Sequence, residues 1–149
     1  MKSASPNSKR AAQLLVGGMV GLHIGAVPTI VVFSIIDGPQ GFISSLAAAL
    51  AVMLFFSIGQ GVMVVCADID PRQLLIAALC SYVGRVSGIA LAMFALLGLP
   101  GARDWMLDVP VVVTTCVATV AWIAGEIAAY RKLRIPVYDS TERPVDADS

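Results

Sequence analysis

Charge is scarce in this chain. Asp, Glu, Lys and Arg make up 13% of its 149 residues, and between Arg72 and Arg103 the single formal charge is Arg85. Soluble domains carry about twice that share, so a water-exposed globular surface is excluded. Ten basic residues balance ten acidic ones, and without a basic excess a nucleic-acid partner has no electrostatic footprint. Histidine occurs once, as His23, and the three cysteines (Cys66, Cys80, Cys116) sit in apolar runs without CxxC or Cys/His spacing. That spacing excludes a disulfide framework and a structural zinc site, and makes the cysteines small buried hydrophobes. No nucleophile elbow or Gly-rich phosphate loop after a strand is present. An enzyme and a cofactor are therefore not expected.

What the chain has is long apolar sequence: 58% of its residues are hydrophobic and its mean hydropathy is +0.85. About 20 apolar residues cross about 30 Å of hydrocarbon as a helix. Four stretches qualify, 14–36, 42–67, 74–99 and 109–129. The expected fold is an all-α integral membrane protein of four transmembrane helices in two antiparallel hairpins. Residues 1–13 precede the domain at 14–133, and 134–149 follow as a tail. The first span is too long for a signal-peptide h-region and has no A-x-A site, so it is expected to stay attached.

Topology follows from the cations. Lys2, Lys9 and Arg10 precede the first span, Arg72 lies between the second and third, and Arg131, Lys132, Arg134 and Arg143 follow the fourth, whereas the other side carries Arg103 alone. The positive-inside rule then places both termini in the cytoplasm, with an even number of spans. The links are short, which makes consecutive helices neighbours. "IDGPQG" is a Gly/Pro turn, and "ADIDPRQ" offers Asp70 as N-cap before Pro71 at the first helical position. In "LPGARDWMLDVP", Trp105 suits the outer headgroup layer. The stretch "DSTERPVDADS" is polar and aperiodic, the composition of a disordered tail.

The charge in the third span needs an explanation. Counted from Leu74, Arg85 lies about 16 Å into the membrane, near the midplane. Arginine there costs about 2.5–3.5 kcal/mol and is tolerated when it faces protein or trapped water. Ala78, Ser81, Tyr82, Gly88 and Ala92 share its side of the helix and form a small, polar packing face. Leu79, Val83, Val86, Met93 and Leu97 gather on another side, toward lipid. Glu126, on a face with Thr115, Thr119 and Trp122, lies about 6 Å below the end of the fourth span. It is about 10 Å from Arg85 along the axis, a gap that a leaning arginine and a Glu could span directly or through water. An ion pair that merely holds helices together is one reading of both residues.

A polar pocket of His23, Gln60, Tyr82, Thr119, Arg85 and Glu126 is the other. His23 lies off the Gly17, Gly21, Gly25 stripe that suits close helix contact, which leaves it facing lipid while neutral or a different partner. Pro28 should kink the first span by freeing the carbonyl of Ile24. Asp68 and Asp70 form a weak candidate site for a hydrated divalent cation. Capping by Asp70 explains that residue without a metal.

Four short-looped spans, the basic residue in "SYVGRVSGIALAMFALLG" and the last span "VPVVVTTCVATVAWIAGEIAAYRKL" with its basic exit resemble the bacterial ATP synthase protein I family. The likeness runs from Leu14 to Leu133 and lies in layout and helix texture. It implies a non-enzymatic accessory protein that helps assemble the c-subunit ring or membrane sector of the F-type ATP synthase. A magnesium-handling role is implied as the alternative. Arg85 is the one position carried over, as the contact for a carboxylate buried in a c subunit, with Glu126 competing for it. A structural membrane protein with an unrelated partner, and self-association, are further possibilities.

Overall fold

A computed structural model describes residues 6–98 and 100–133. The tail expected at 134–149 lies outside the described residues. The chain forms α1 (Pro6–Ile36), α2 (Gly38–Val65), α3 (Pro71–Gly98), a single turn α4 (Ala102–Trp105) and α5 (Asp108–Lys132). Four of these are long and apolar enough to cross a membrane. Their bounds differ from the apolar runs because polar flanks continue the helices. α1 starts eight residues before Leu14, and at 31 residues it is about 46 Å long, well beyond a hydrocarbon core.

Helix direction alternates, so the start of α1, the α2–α3 turn and the end of α5 share one end of the bundle, here the basic end. The α1–α2 corner is very tight. Asp37 alone separates the helices, Gly38 takes φ +62°, and a Cβ on Gly41 would strike the carbonyl of Phe33. Only glycine meets both demands without strain. At the basic end Asp70 Oδ1 accepts from the backbone N–H of Arg72 at 2.8 Å, the capping expected ahead of Pro71.

The bundle is not two hairpins side by side. α1 packs on α5 and α2, and α5 packs on α2, which makes a compact three-helix core. α3 packs on α2 and touches α4, and among the described residues it has no substantial contact with α1 or α5. The α1–α5 contact is built on small residues. Gly17, Gly21 and Gly25 lie against Ala121, Gly125 and Ala129, and a Cβ on Gly125 would collide with the Gly17 carbonyl. Lipid gives helices no hydrophobic reason to associate, so close backbone approach and dispersion must supply the attraction. Gly18 makes room for the indole of Trp122, which is fully buried.

The buried face of α2 runs Gly41, Ser44, Ser45, Ala48, Ala49, Val52, Phe56, Gly59, Gln60, a spacing of three and four that aims one stripe at the other helices. Several hydroxyls inside the bundle are satisfied locally, although those of Ser57 and Thr114 have no partner. Ser45 donates to the Gly41 carbonyl, Thr29 to Gly25 and Thr115 to Val111, at 2.7–2.8 Å. α1 stays one continuous helix through Pro28. Outward, large apolar side chains such as Ile35, Leu75 and Phe94 are more than 70% exposed. An apolar surface of that extent suits a lipid environment. Cys80 and Cys116 belong to it, which corrects the expectation that the cysteines are buried.

At the end opposite the basic one, Ser44 links three elements. Its hydroxyl donates to the Gln40 carbonyl at 2.6 Å and accepts from the N–H of Leu107 at 2.8 Å, while Gln40 Nε2 donates to the Asp104 carbonyl at 3.0 Å. These bonds seat the start of α5 on α2. Ser44→Ala strips the part-buried Leu107 N–H of its partner and is expected to cost about 1–2 kcal/mol. Thermal unfolding in detergent reads the loss, and Ser57→Ala, which removes a buried hydroxyl that has no partner, serves as the neutral control.

Candidate functional site

The site is assembled where α3 lies across α2. Arg85 leaves α3 on the side of Ser81, whose hydroxyl donates to the Gly59 carbonyl at 2.9 Å, and of Gly88, which abuts the ring of Phe55. Ala78 and Ala92 are half-buried on that same side, while Leu79, Val83 and Val86 are exposed, as their helical positions require. The Leu97 side chain lies outside the described residues. Tyr82 departs from the expected packing face: it is 66% exposed, although it still borders the cleft at the site.

The arginine leans toward the N-terminus of α3, as helical side chains do. Its Nε lies against Gly59, where any Cβ would collide, and its Cζ lies 5.4 Å from the centroid of the Phe56 ring. The charged head is therefore displaced from the midplane toward the basic end, to the level of Gly59 and Gln60. Resting on an aromatic face lowers the cost of a cation away from water. The buried Nε has no hydrogen-bond partner.

Glu126 is held by other groups. Its Oε1 accepts from the indole N–H of Trp122 at 2.6 Å and from the amide of Gln60. Trp122 in turn meets Phe56 at 5.3 Å between centroids with a 48° tilt. A connected path thus runs from Arg85 to Phe56, Trp122, Glu126 and Gln60. Arg85 and Glu126 attract one another electrostatically across this path, but the guanidinium and carboxyl groups do not close into the direct pair expected from their spacing. Two neutral donors, Trp122 from α5 and Gln60 from α2, hold the Glu126 Oε1 instead.

Because α3 touches neither α1 nor α5 substantially, a cavity opens on each side of it. Between α3 and α5, a cleft of about 500 Å³ is floored by Phe56 and lined by Tyr82, Arg85, Ile89, Thr119 and Glu126. Between α3 and α1, a second cavity of about 530 Å³ has Gln60, Arg10, Leu14 and Leu74 on its walls. Arg85 borders both.

Of the expected polar pocket, Tyr82, Thr119, Arg85 and Glu126 come together in the first cleft and Gln60 joins them through Glu126. His23 does not. It is exposed on the outside of α1, where its Nδ1 lies 2.7 Å from the Met19 carbonyl, because the glycine stripe turns the opposite face of α1 toward α5. Asp68 and Asp70 lie in the α2–α3 turn, and among the described residues no group of three or more metal-ligating side chains forms. Phe56 and Trp122 are the members that sequence reasoning did not place in the site. Each lies four residues before a polar member, Gln60 or Glu126, the helical spacing that stacks side chains on one face.

No family model matches the chain, and no curated protein or solved structure matches it either.

Proposed function

We propose that this chain is a non-enzymatic accessory protein of the bacterial inner membrane, with both termini cytoplasmic, that holds a carboxylate on a partner's membrane helix in the cleft between α3 and α5. Following the resemblance to the ATP synthase protein I family, the partner is the c subunit or membrane sector of the F-type ATP synthase, engaged during assembly. One observation carries the reading: Arg85 is half-buried, rests its guanidinium on Phe56, and borders an apolar cleft between helices that do not pack together.

A guanidinium suits a carboxylate, since it offers paired donors in a planar fork. In a low-dielectric cleft that pairing is strong only at close range, so it rewards a docked partner and little else. Glu126 Oε1 is held by Trp122 and Gln60, and no direct pair with the arginine competes for that bond. Magnesium transport is the weaker reading, because a fixed cation at the junction of both cavities repels a passing cation.

Arg85→Gln keeps the stem over Phe56 and removes the charge. Its expected result is normal insertion with at least a tenfold fall in c-ring yield, measured by quantifying assembled rings from membranes that contain equal amounts of each variant. Equal ring yield, or a wild-type chain that fails to co-purify with synthase subunits, overturns the proposal. Magnesium flux through liposomes of the purified chain would transfer support to the transport reading.

A further inference from the structure

The cavity between α1 and α3 lies on the other side of α3 from the cleft assigned above, and apart from the shared Arg85 its lining differs in kind. At its basic-end mouth stand Asn7 and Arg10 from the first two turns of α1. Its walls are Ala11, Leu14, Met63, Ala67 and Leu74, and Gln60 and Arg85 close its inner end. It holds about 530 Å³, and two guanidinium groups border it with no acidic side chain among its lining residues. The mouth exists because α1 continues as a helix beyond its apolar stretch, which carries Arg10 alongside the α2–α3 hairpin instead of into water. The first turn of α1 contains no acidic residue, so the positive end of its macrodipole is not offset there.

We infer that this cavity binds an anionic phospholipid of the adjacent leaflet, with the headgroup phosphate at Arg10 and Asn7 and an acyl chain along Leu14, Met63 and Leu74. Charge and shape both select that occupant. A phosphate matches the guanidinium fork at the mouth, and the apolar walls behind it match a hydrocarbon chain and not a free ion. A zwitterionic lipid brings its own cation to the same place and loses the net attraction. The bound lipid fills the gap between α1 and α3 that no side chain fills, and so ties the loosely held α3 to the core. This site does not depend on the partner proposed for the other side of α3.

The full chain in nanodiscs of phosphatidylcholine, titrated with phosphatidylglycerol, tests the inference by thermal stability and by lipid retention in native mass spectrometry. Phosphatidylglycerol is expected to raise the Tm and to remain bound. Arg10→Gln should weaken that binding about tenfold, and Leu14→Trp should abolish it by filling the cavity. Arg131→Gln, an exposed charge at the end of α5, controls for general attraction to an anionic surface and should leave binding unchanged. The inference is overturned if phosphatidylcholine is retained equally, if inorganic phosphate reproduces the Tm shift, if Leu14→Trp still retains the lipid, or if the Arg10 and Arg131 variants behave alike.

Discussion

Gly125→Leu is expected to prevent the bundle from forming. A Cβ at this position meets the Gly17 carbonyl and, at 3.0 Å, the Gly21 Cα, and both are main-chain atoms that cannot rotate aside. The helices would have to separate along their whole contact, losing the dispersion that holds α1 to α5 where lipid offers no hydrophobic drive. Overpacking in cores costs about 1–3 kcal/mol when side chains can yield. Here none can, so the expected cost is at or above the top of that range. Gly61→Leu and Gly84→Leu supply the contrast, since a Cβ at either glycine meets nothing within 4 Å. Resistance to unfolding in mixed SDS micelles should collapse for Gly125→Leu and stay near wild type for the other two. Equal loss in all three would show that the α1–α5 contact does not carry the fold.

Trp122→Ala should be nearly as damaging, for a different reason. Trp122 is fully buried between Gly18 and Phe56, and it donates to Glu126. Its removal leaves a large void and takes one of two donors from a carboxyl group inside the bundle. Large-to-small changes of aromatic residues cost about 3–5 kcal/mol in soluble cores, and lipid in place of water as the competing surroundings puts the expectation near 3. Trp122→Phe separates the contributions. Phenylalanine keeps contact with Phe56 and the Gly18 groove but cannot donate, so it should lose about 1–2 kcal/mol while Gln60 still serves Glu126. A Phe variant as unstable as the Ala variant would mean that the hydrogen bond, and not packing, holds this part of the core. Unfolding midpoints of the two variants, measured side by side, decide the matter.

Four spans and their alternating direction were legible in the apolar runs because hydrocarbon thickness sets a minimum helix length that composition reveals directly. The sheltered orientation of Arg85 was legible too. Ser81, Gly88 and Ala92 share its face of α3, and only small or polar residues can line a helix contact of that kind. The glycine stripe announced that α1 must approach another helix closely. It did not announce which helix, although Ala121, Gly125 and Ala129 repeat the same four-residue spacing. Periodicity within one helix carries no address for its partner.

Length, class, helix number and the helix face on which each polar residue stands were therefore set by local sequence, through the length and periodicity that a helix in hydrocarbon requires. Partnership was decided only in three dimensions. Backbone approach at Gly17, Gly21 and Gly125 joined α1 to α5, left α3 resting on α2, and opened a cavity on either side of it. The same packing gave Glu126 to Trp122 and Gln60 instead of to Arg85. Contacts between helices depend on which surfaces fit at atomic distance, and that fit is a property of pairs of elements that no single stretch of chain contains.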